Sequence, residues 1–337
     1  MRKKILILKN DRTGDLFTSL NAINRIINKH KDDDKIIYLS EINEKFSFLF
    51  PSIQKKTISM NLNFFDKIKI IFYLLNNKID IIYILSPKNF YFFLPIIFRK
   101  IKFYAVTIKS LKSRPHENLL KYLHKYVIID RLNIKKRNST YLIQESLIEY
   151  TSNNNNLSTH SLKSHNFNFP KKYIFFHYKH SLFKKSLNWS LDDISFFLNF
   201  LSSKFDNIMF SSELLDKKIN NFFLQKYNSY DFITNKNQKI NTLNIFFLKD
   251  INGYDLFDVV KNSTMIICPE GIISHMSYFL KKKLLTLMHF NLQNKNDIKE
   301  QIISCKEWFP PKNFKFCVLK KDLNLSIKKI EKRLNYL

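Results

Sequence analysis

The chain has 337 residues, of which 45% are hydrophobic and 15% aromatic, so it can bury sizeable cores and is not intrinsically disordered. Its length favours two domains, and its three cysteines exclude a disulfide-stapled scaffold and suit a reducing environment. The net charge of +28 favours either an anionic partner (nucleic acid, acidic lipid or nucleotide) or lysines scattered over a solvated surface.

The first half of the chain alternates apolar runs with amphipathic segments. Runs of β-branched and aromatic residues predict strands at 4–9, 35–40, 79–85, 102–107 and 126–130. They are apolar on both faces, which is typical of parallel strands covered by helices. Segment 15–30 places Leu16, Leu20, Ile23 and Ile27 on one helical face. A strand, helix and strand in this order predict a Rossmann-type domain.

Residues 9–20, KNDRTGDLFTSL, follow the first strand and hold one of only three glycines in the chain. Because soluble chains contain about 7% glycine, a glycine retained here favours a backbone position that requires it. Ligands of α/β units bind where such a loop enters the next helix, which makes Gly14 and Asp15 candidates for a site. The segment has no G-x-G-x-x-G, so a dinucleotide cradle is poorly supported. Asp15 is then either a general base or merely the N-cap of the helix.

The most hydrophobic stretch is NFYFFLPIIF at 89–98, which is half the length of a membrane span and contains Pro95. It favours a buried strand or helix, with insertion into a membrane interface as the alternative. The opening MRKKILILKN has an apolar run of four residues, which does not predict a signal peptide. We therefore expect a cytoplasmic protein, with peripheral contact at the inner membrane as a further hypothesis.

A change in composition divides the chain. Residues 151–169 are rich in Asn and Ser and lack periodicity, which predicts an interdomain linker. A second series of strands is predicted at 173–178, 207–212, 243–248, 264–270 and 284–290, and Ser190 with Asp193 predicts a capping box. The expected architecture is two Rossmann-like domains, 1–165 and 166–337, facing a central cleft in the GT-B arrangement. The last helix, about 322–337, is expected to pack back on the first domain.

A second candidate site lies in residues 268–287, CPEGIISHMSYFLKKKLLTL. Glu270 and Gly271 fall in the turn after a predicted strand, Ser274 can cap the following helix, and His275 falls in its first turn. A helix N-terminus offers free N–H groups to phosphates. A glutamate beside it can accept ribose hydroxyls, and a histidine can donate to a phosphate oxygen. Taken alone, a histidine such as His275 is more often an ordinary, partly buried structural residue, and the combination E-G-x-x-S-H after a strand is the more specific signal.

The two candidate sites resemble the signatures of glycosyltransferase family 9, the heptosyltransferase-like enzymes of lipopolysaccharide assembly. The first signature matches at Arg12, Gly14, Asp15, Thr18 and Ala22, with Asn21 where proline is usual. The second matches PEGIISHMSYFLKKKLLTLMHF, with Lys283 in place of a proline. Between them, KKSLNWSLDDISFFLNFL keeps Trp189 but has Leu187 at the usual lysine position.

The resemblance implies an inverting, metal-independent transfer of a sugar from a nucleotide donor, with no cofactor and no metal site. Asp15 is the implied general base, the first domain is implied to hold the acceptor, and the second the donor, ADP-linked by family default. The expected donor-binding residues are Glu270, Gly271, Ser274, His275, Glu213, Lys185 and Lys184. The expected acceptor-binding residues are Arg12, Thr13, Gly14, Arg114 and His116.

The implied acceptor is an anionic, lipid-linked glycan at the cytoplasmic face of a bacterial inner membrane, such as a lipopolysaccharide core, which a basic surface would attract. Three other hypotheses stay open. The departures at Asn21, Leu187 and Lys283 suggest a relative that binds a nucleotide sugar or glycan without catalysis. Charge and aromatics alone suggest a nucleic-acid-binding protein. A nucleotide-sugar epimerase of the same arrangement would need acidic and histidine pairs that the sequence does not identify.

Overall fold

The computed structural model describes residues 2–110, 117–133, 138–148, 170–212, 217–291, 295–309 and 314–336. Contacts within the chain divide it into two compact units. Of the described residues, the first unit contains those up to 148 together with 299–309. The second contains 170–298 and 314–336 with the gaps given above.

The first unit is built on a six-stranded parallel sheet in the order β3-β2-β1-β4-β5-β6. Its strands are β1 (Lys4–Lys9), β2 (Asp34–Ser40), β3 (Gln54–Ile58), β4 (Ile81–Ile84), β5 (Lys102–Lys109) and β6 (Lys125–Asp130). Its helices are α1 (Thr13–Lys29), α2 (Phe64–Asn76), α3 (Asn89–Ile97), α4 (Glu117–Leu120) and α5 (Thr140–Ser146), with a 3-10 helix at Glu41–Leu49. This is the Rossmann strand order, in which β1 lies between β2 and β4.

Burial explains why these elements form. Ile5, Leu6, Ile7 and Leu8 of β1 are fully buried, as a central strand covered on both faces requires. The inward residues of α2 and α3 belong to a single core cluster against one face of the sheet. Strand β3 was not predicted, because its sequence QKKTI carries exposed polar side chains at the edge of the sheet.

The second unit is built on an eight-stranded sheet in the order β10-β9-β11-β8-β7-β12-β13-β14. Its strands are β7 (Ile174–Tyr178), β8 (Ile208–Ser212), β9 (Asn228–Asp231), β10 (Lys236–Gln238), β11 (Ile245–Lys249), β12 (Met265–Pro269), β13 (Lys283–Met288) and β14 (Phe314–Val318). Its helices are α6 (Leu191–Ser202), α7 (Lys217–Lys226), α8 (Gly253–Asn262), α9 (Ile272–Phe279) and α11 (Leu323–Leu334), with a π-helix at Ser181–Ser186. The helix α10 (Lys295–Cys305) begins in this unit and continues into the first. All strand pairs are parallel except β9 with β10.

The start of α6 matches the sequence prediction. The Ser190 hydroxyl accepts from the Asp193 N–H at 3.0 Å, and the Asp193 carboxylate accepts from the Ser190 N–H at 2.7 Å. This capping box satisfies backbone donors that a helix N-terminus leaves without partners. Trp189, just before it, is buried among Phe183 and Phe197, and its Nε1 donates to the Lys321 carbonyl at 2.8 Å.

Two Rossmann-like halves are therefore present. The last helix, α11, packs on α6 and β14 of the second unit, because Ile327, Ile330 and Leu334 join the core of that unit. The described segment that does return to the first unit is 299–309, so the predicted second domain, 166–337, contains a piece of the first unit. The predicted linker at 151–169 lies outside the described residues.

Candidate functional site

The first candidate site lies where β1 and β4 end. Because the strand order changes direction between these two strands, a crevice is expected at their carboxyl ends. A pocket of about 330 Å³ opens there within the first unit. It is lined by Lys9, Asp11, Arg12, Asp15, Leu85, Ser86, Pro87, Lys88, Val106, Ile108, Ile129, Arg131, Thr140, Gln144 and Trp308.

The loop between β1 and α1 is held by hydrogen bonds to neighbouring loops. The buried Lys9 ammonium donates to the Asp11 carboxylate at 2.8 Å and to the Leu85 carbonyl at 3.3 Å. The Asp11 carbonyl accepts from Ser40 Oγ at 2.8 Å and from Asn43 Nδ2 at 2.9 Å. A functional side chain on this loop is therefore carried by a fixed backbone.

Asp15 lies in the first turn of α1 and faces the pocket. The helix begins at Thr13 with Arg12 as its N-cap, so the alternative role of Asp15 as the N-cap is wrong. Arg12 lines the pocket with Asp15, whereas Thr13 and Gly14 are not among its lining residues. Gly14 is inside the helix, so the backbone conformation does not explain its retention there, contrary to the expectation from sequence.

The pocket carries more positive than negative side chains. Lys9, Arg12, Lys88 and Arg131 line it together with the carboxylates of Asp11 and Asp15. Burial lowers the pKa of Lys88, and the Asp11 carboxylate opposes that change. Lys88 also donates to the Met60 carbonyl at 2.6 Å, which holds its ammonium in place.

Four polar atoms of lining residues are buried without a hydrogen-bond partner among the residues that the structure describes. They are Asp11 Oδ1, Ser86 Oγ, Thr140 Oγ1 and Gln144 Oε1. Buried polar atoms nearly always have partners, so a group of four in one pocket calls for a polar occupant. Two of the four are oxygens that only accept, and the other two are hydroxyls that can donate or accept. Hydroxyl groups, which both donate and accept, suit this mixture of atoms.

Asn21 positions one wall of this pocket. Its Nδ2 donates to Glu145 Oε1 at 3.0 Å, and Arg25 donates to Glu145 Oε2 at 2.6 Å. Glu145 belongs to α5, the helix that also carries Thr140 and Gln144. The asparagine that replaces the usual proline of the resemblance thus binds α1 to α5.

The returning segment 299–309 supplies the other wall. The Arg131 guanidinium donates to both oxygens of the Glu307 carboxylate, at 2.7 and 3.0 Å from Nε, and also lies 5.1 Å from the centre of the Trp308 ring. The Thr140 N–H donates to the Glu307 carbonyl at 2.8 Å. Trp308 is therefore held at the pocket because its chain neighbour, Glu307, is bound by Arg131 through its side chain and by Thr140 through its carbonyl.

The second candidate site lies at the corresponding point of the second unit, where β7 and β12 end. Lys179 directly follows β7, and its ammonium donates to the Glu270 carbonyl at 2.9 Å, just after β12. Gly271 has φ +152° and ψ −158°, a conformation that is essentially restricted to glycine. A Cβ atom at this position would lie 3.5 Å from Lys179 Nζ. The glycine thus permits the turn that brings Glu270 beside the start of α9.

Glu270 and His275 form the polar part of this site. His275 Nε2 lies 3.6 Å from Glu270 Oε1, with the histidine buried and the carboxylate half-exposed. The contact with His275 lowers the pKa of Glu270, and Lys179 lowers it further against the opposing effect of burial. Ser274 does not act as the N-cap; as the third residue of α9, its Oγ accepts from the Gly271 N–H and donates to the Gly271 carbonyl.

His177 lies on β7, two residues before Lys179. Its Nδ1 is 2.9 Å from Ser211 Oγ at the end of β8. Burial lowers the pKa of His177 to about 4, and the nearby Lys179 ammonium contributes. The ring is therefore neutral near pH 7 and makes a neutral hydrogen bond between two adjacent strands.

The remaining predicted residues are placed elsewhere or are not described. Lys184 and Lys185 are exposed on the π-helix after β7, and Leu187 is buried in the core. Glu213, Arg114 and His116 lie outside the described residues. Within the described part of the chain, no group of three or more His, Cys, Asp or Glu residues is arranged to hold a metal ion.

Sequence reasoning missed several residues of the two sites. Lys179 directly follows the strand predicted at 173–178, and that position was a usable signal. Gln144 and Trp308 carry no such signal, because they reach the pocket through the packing of α5 and the return of 299–309.

The sequence matches no family model and no curated protein. Solved structures nevertheless share its fold. The heptosyltransferase WaaC from E. coli, solved with ADP-2-deoxy-2-fluoro heptose, has a TM-score of 0.63 and 10% identity over 99% of both chains. The family 9 glycosyl transferase from Veillonella parvula DSM 2008 has a TM-score of 0.62 and 12% identity over 99% of this chain and 89% of that one. A UDP-GlcNAc 2-epimerase from Methanocaldococcus jannaschii has a TM-score of 0.56 and 13% identity over 97% and 92%.

The GT-B fold and the resemblance to family 9 heptosyltransferases are thus confirmed at the level of fold. The same fold occurs in an epimerase, so the fold by itself does not select the reaction. The reaction therefore has to be inferred from the residues of the two sites.

Proposed function

We propose that this chain is an inverting, metal-independent glycosyltransferase. It transfers a sugar, heptose or a related one, from a nucleotide-sugar donor to a surface glycan such as a lipopolysaccharide core. The observation that carries the proposal is the pocket of the first unit, which Asp15 lines together with four residues that each bury a polar atom without a partner among the described residues. A sugar presents hydroxyl groups that suit those atoms. Asp15 can act as the general base for a sugar hydroxyl that lies beside it.

In the proposed reaction, Asp15 takes the proton of the acceptor hydroxyl as its oxygen attacks the anomeric carbon of the donor. The bond from that carbon to the phosphate oxygen breaks, and the nucleoside diphosphate leaves with an added negative charge. Attack opposite to the leaving group inverts the anomeric centre. Lys9, Arg12 and Lys88 around the acceptor pocket suit an acceptor that is itself anionic.

The second unit supplies groups suited to the leaving nucleotide. Lys179, His275 and the backbone N–H groups at the start of α9 lie together and can stabilise diphosphate charge. Glu270, held ionised by His275 and Lys179, can accept from ribose hydroxyls. Gly271 and Ser274 shape this turn, and the exposed Lys184 and Lys185 remain candidates for a supporting electrostatic role.

The donor half of the proposal is tested by thermal unfolding with ADP, GDP, UDP and CMP and their sugar conjugates, all in EDTA. A ligand at a hundredfold excess over its dissociation constant stabilises the folded state by about 2.7 kcal/mol. We expect one nucleotide family to raise the melting temperature of the wild type, and Glu270→Ala, His275→Ala and Lys179→Met to lose that shift. Lys328→Met, at an exposed lysine on α11 of the second unit, is the matched lysine control.

The catalytic half is tested with Asp15→Asn, an isosteric change that removes the base. We expect this variant to bind the nucleotide as the wild type does, while nucleotide release in the presence of acceptor falls by roughly 10²- to 10⁴-fold. Nucleotide binding without release in the wild type would favour a relative that has lost catalysis. Interconversion of a UDP-linked sugar in the absence of acceptor would favour an epimerase, and retention of DNA or RNA in place of any nucleotide would favour the nucleic-acid hypothesis.

A further inference from the structure

The first unit exposes several large apolar side chains on α2 and α3, two helices whose inward residues share one core cluster. We name as the α2–α3 face the exposed residues Phe64, Phe65, Phe72, Leu75, Phe93 and Ile97. Phe65 is 70% exposed and Phe72 is 59% exposed. Isolated exposed apolar residues are normal, but a cluster of aromatic ones indicates an interaction surface.

These side chains share one layer of the unit. The inward residues of α2 and α3, among them Ile70, Leu74 and Leu94, pack in one core cluster on the same face of the sheet. On α2, Phe65, Phe72 and Leu75 recur at helical spacing and form a stripe on the opposite side from Ile70 and Leu74. The helices are therefore apolar on both sides, with one side already packed.

The exposed charges on and just after the two helices are mostly positive, with Asp80 as the exception. Lys69, Lys78, Arg99 and Lys100 are exposed on or just after the two helices. Asp66, the acidic residue of α2, is buried and closes the capping box with Asn63. The apolar stripe is thus bordered by cations without a compensating exposed carboxylate on α2 or α3.

We propose that the α2–α3 face docks this protein on an anionic lipid bilayer. Aromatic side chains flanked by lysine and arginine are the composition of segments that lie in a membrane interface, with the apolar part inserted and the cations at the headgroups. Each cation near an anionic surface adds to the attraction. Among the described residues, no helix is long and apolar enough to cross a bilayer, so this contact is interfacial.

A second copy of the chain fits this face less well. A symmetric dimer places the same patch on both partners, so Lys69 and Arg99 of one copy would meet the cations of the other. In such a dimer, burial of the apolar residues brings like charges together, and their repulsion opposes association. Anionic headgroups instead neutralise the lysine and arginine charges. The proposal rests on this surface alone and does not depend on the proposed transfer reaction.

The test is co-sedimentation of the full chain with phosphatidylcholine vesicles that either contain or lack phosphatidylglycerol. We expect binding to the anionic vesicles only, weakened by added salt. Phe65→Ser and Phe72→Ser should each reduce partitioning about tenfold, because each removes an aromatic side chain that inserts. Phe196→Ser on α6 is the matched control, since Phe196 is 54% exposed but belongs to the second unit.

All variants change exposed residues, so circular dichroism and nucleotide-dependent thermal shifts should match the wild type. The proposal is overturned if the wild type does not bind anionic vesicles, or if Phe196→Ser reduces binding as much as Phe65→Ser. It is also overturned if gel filtration shows a wild-type dimer that Phe65→Ser converts to a monomer. Loss of vesicle binding with unchanged nucleotide binding separates this surface from the sites of the proposed function.

Discussion

The ion pair between Arg131 and Glu307 holds the returning segment 299–309 against the first unit, and its removal should release that segment. The Glu307 carboxylate is 2% exposed and accepts from Arg131 in a two-pronged contact. Arg131→Ala leaves this carboxylate buried without its cation, which costs 3–5 kcal/mol for a fully buried pair. Because Arg131 itself is 30% exposed, we expect the lower end, about 3 kcal/mol.

The chain offers a specific probe for this measurement. It has two tryptophans, Trp189 in the second unit and Trp308 in the first. In a Trp189→Phe background, denaturant unfolding followed by tryptophan fluorescence therefore reports on the first unit. Arg131→Lys, which keeps the charge but loses the two-pronged geometry, is expected to fall between wild type and Arg131→Ala.

A double variant separates the ion pair from general disruption. Arg131→Ala with Glu307→Ala removes the unpaired carboxylate, so it should be more stable than Arg131→Ala alone. The reasoning is refuted if Arg131→Ala lowers the unfolding free energy of the first unit by less than about 1 kcal/mol, or if the two substitutions simply add.

Two further predictions concern the second unit, followed by Trp189 fluorescence in a Trp308→Phe background. The pKa of His177 is about 4 in the folded state and near 6.5 in the unfolded state, so the unfolded state binds more protons between these pH values. The unfolding free energy should therefore fall by up to ~3 kcal/mol as the pH drops from 6.5 to 4. His177→Asn should reduce this slope, and an unchanged slope would contradict the assignment. Gly271→Ala should lower the unfolding free energy by about 1–3 kcal/mol because Gly271 has a positive φ. Gly253→Ala, at the helical start of α8, should not lower it in this way, and equal losses for the two variants would contradict the role of backbone conformation.

The sequence predicted the central strands of both sheets because they are buried on both faces. Ile5–Leu8 of β1 and Ile266–Cys268 of β12 are apolar runs that only a covered parallel strand accommodates. Strands β3, β9, β10 and β14 were not predicted, and β3, β10 and β14 lie at sheet edges. β3 and β10 carry exposed polar side chains, QKKTI and KNQ, whereas β9 is buried but has the polar sequence NSYD. A hydrophobic pattern in the sequence indicates a buried apolar strand. A polar strand is held in the sheet by backbone hydrogen bonds, which leave no such pattern.

The candidate site was predictable to the extent that it lies next to strands. Asp15, Glu270 and His275 follow buried runs at short distance, so the rule that ligands bind at strand ends located them. Lys88 lies between β4 and α3, and Arg131 directly follows β6, so only the order in which β1, β4 and β6 are placed brings them to one pocket. Their roles depend on sheet order, which the periodicity of a single segment does not encode.

The return of 299–309 to the first unit has a consequence for dividing the protein. A fragment ending near residue 165 would contain all six strands of the first sheet but lack Glu307 and Trp308, with Arg131 deprived of its carboxylate. Expressing the two halves separately would therefore leave the first one incomplete at its own pocket. A peptide covering 295–309, added in trans, is the missing component that such a fragment would need to complete that wall.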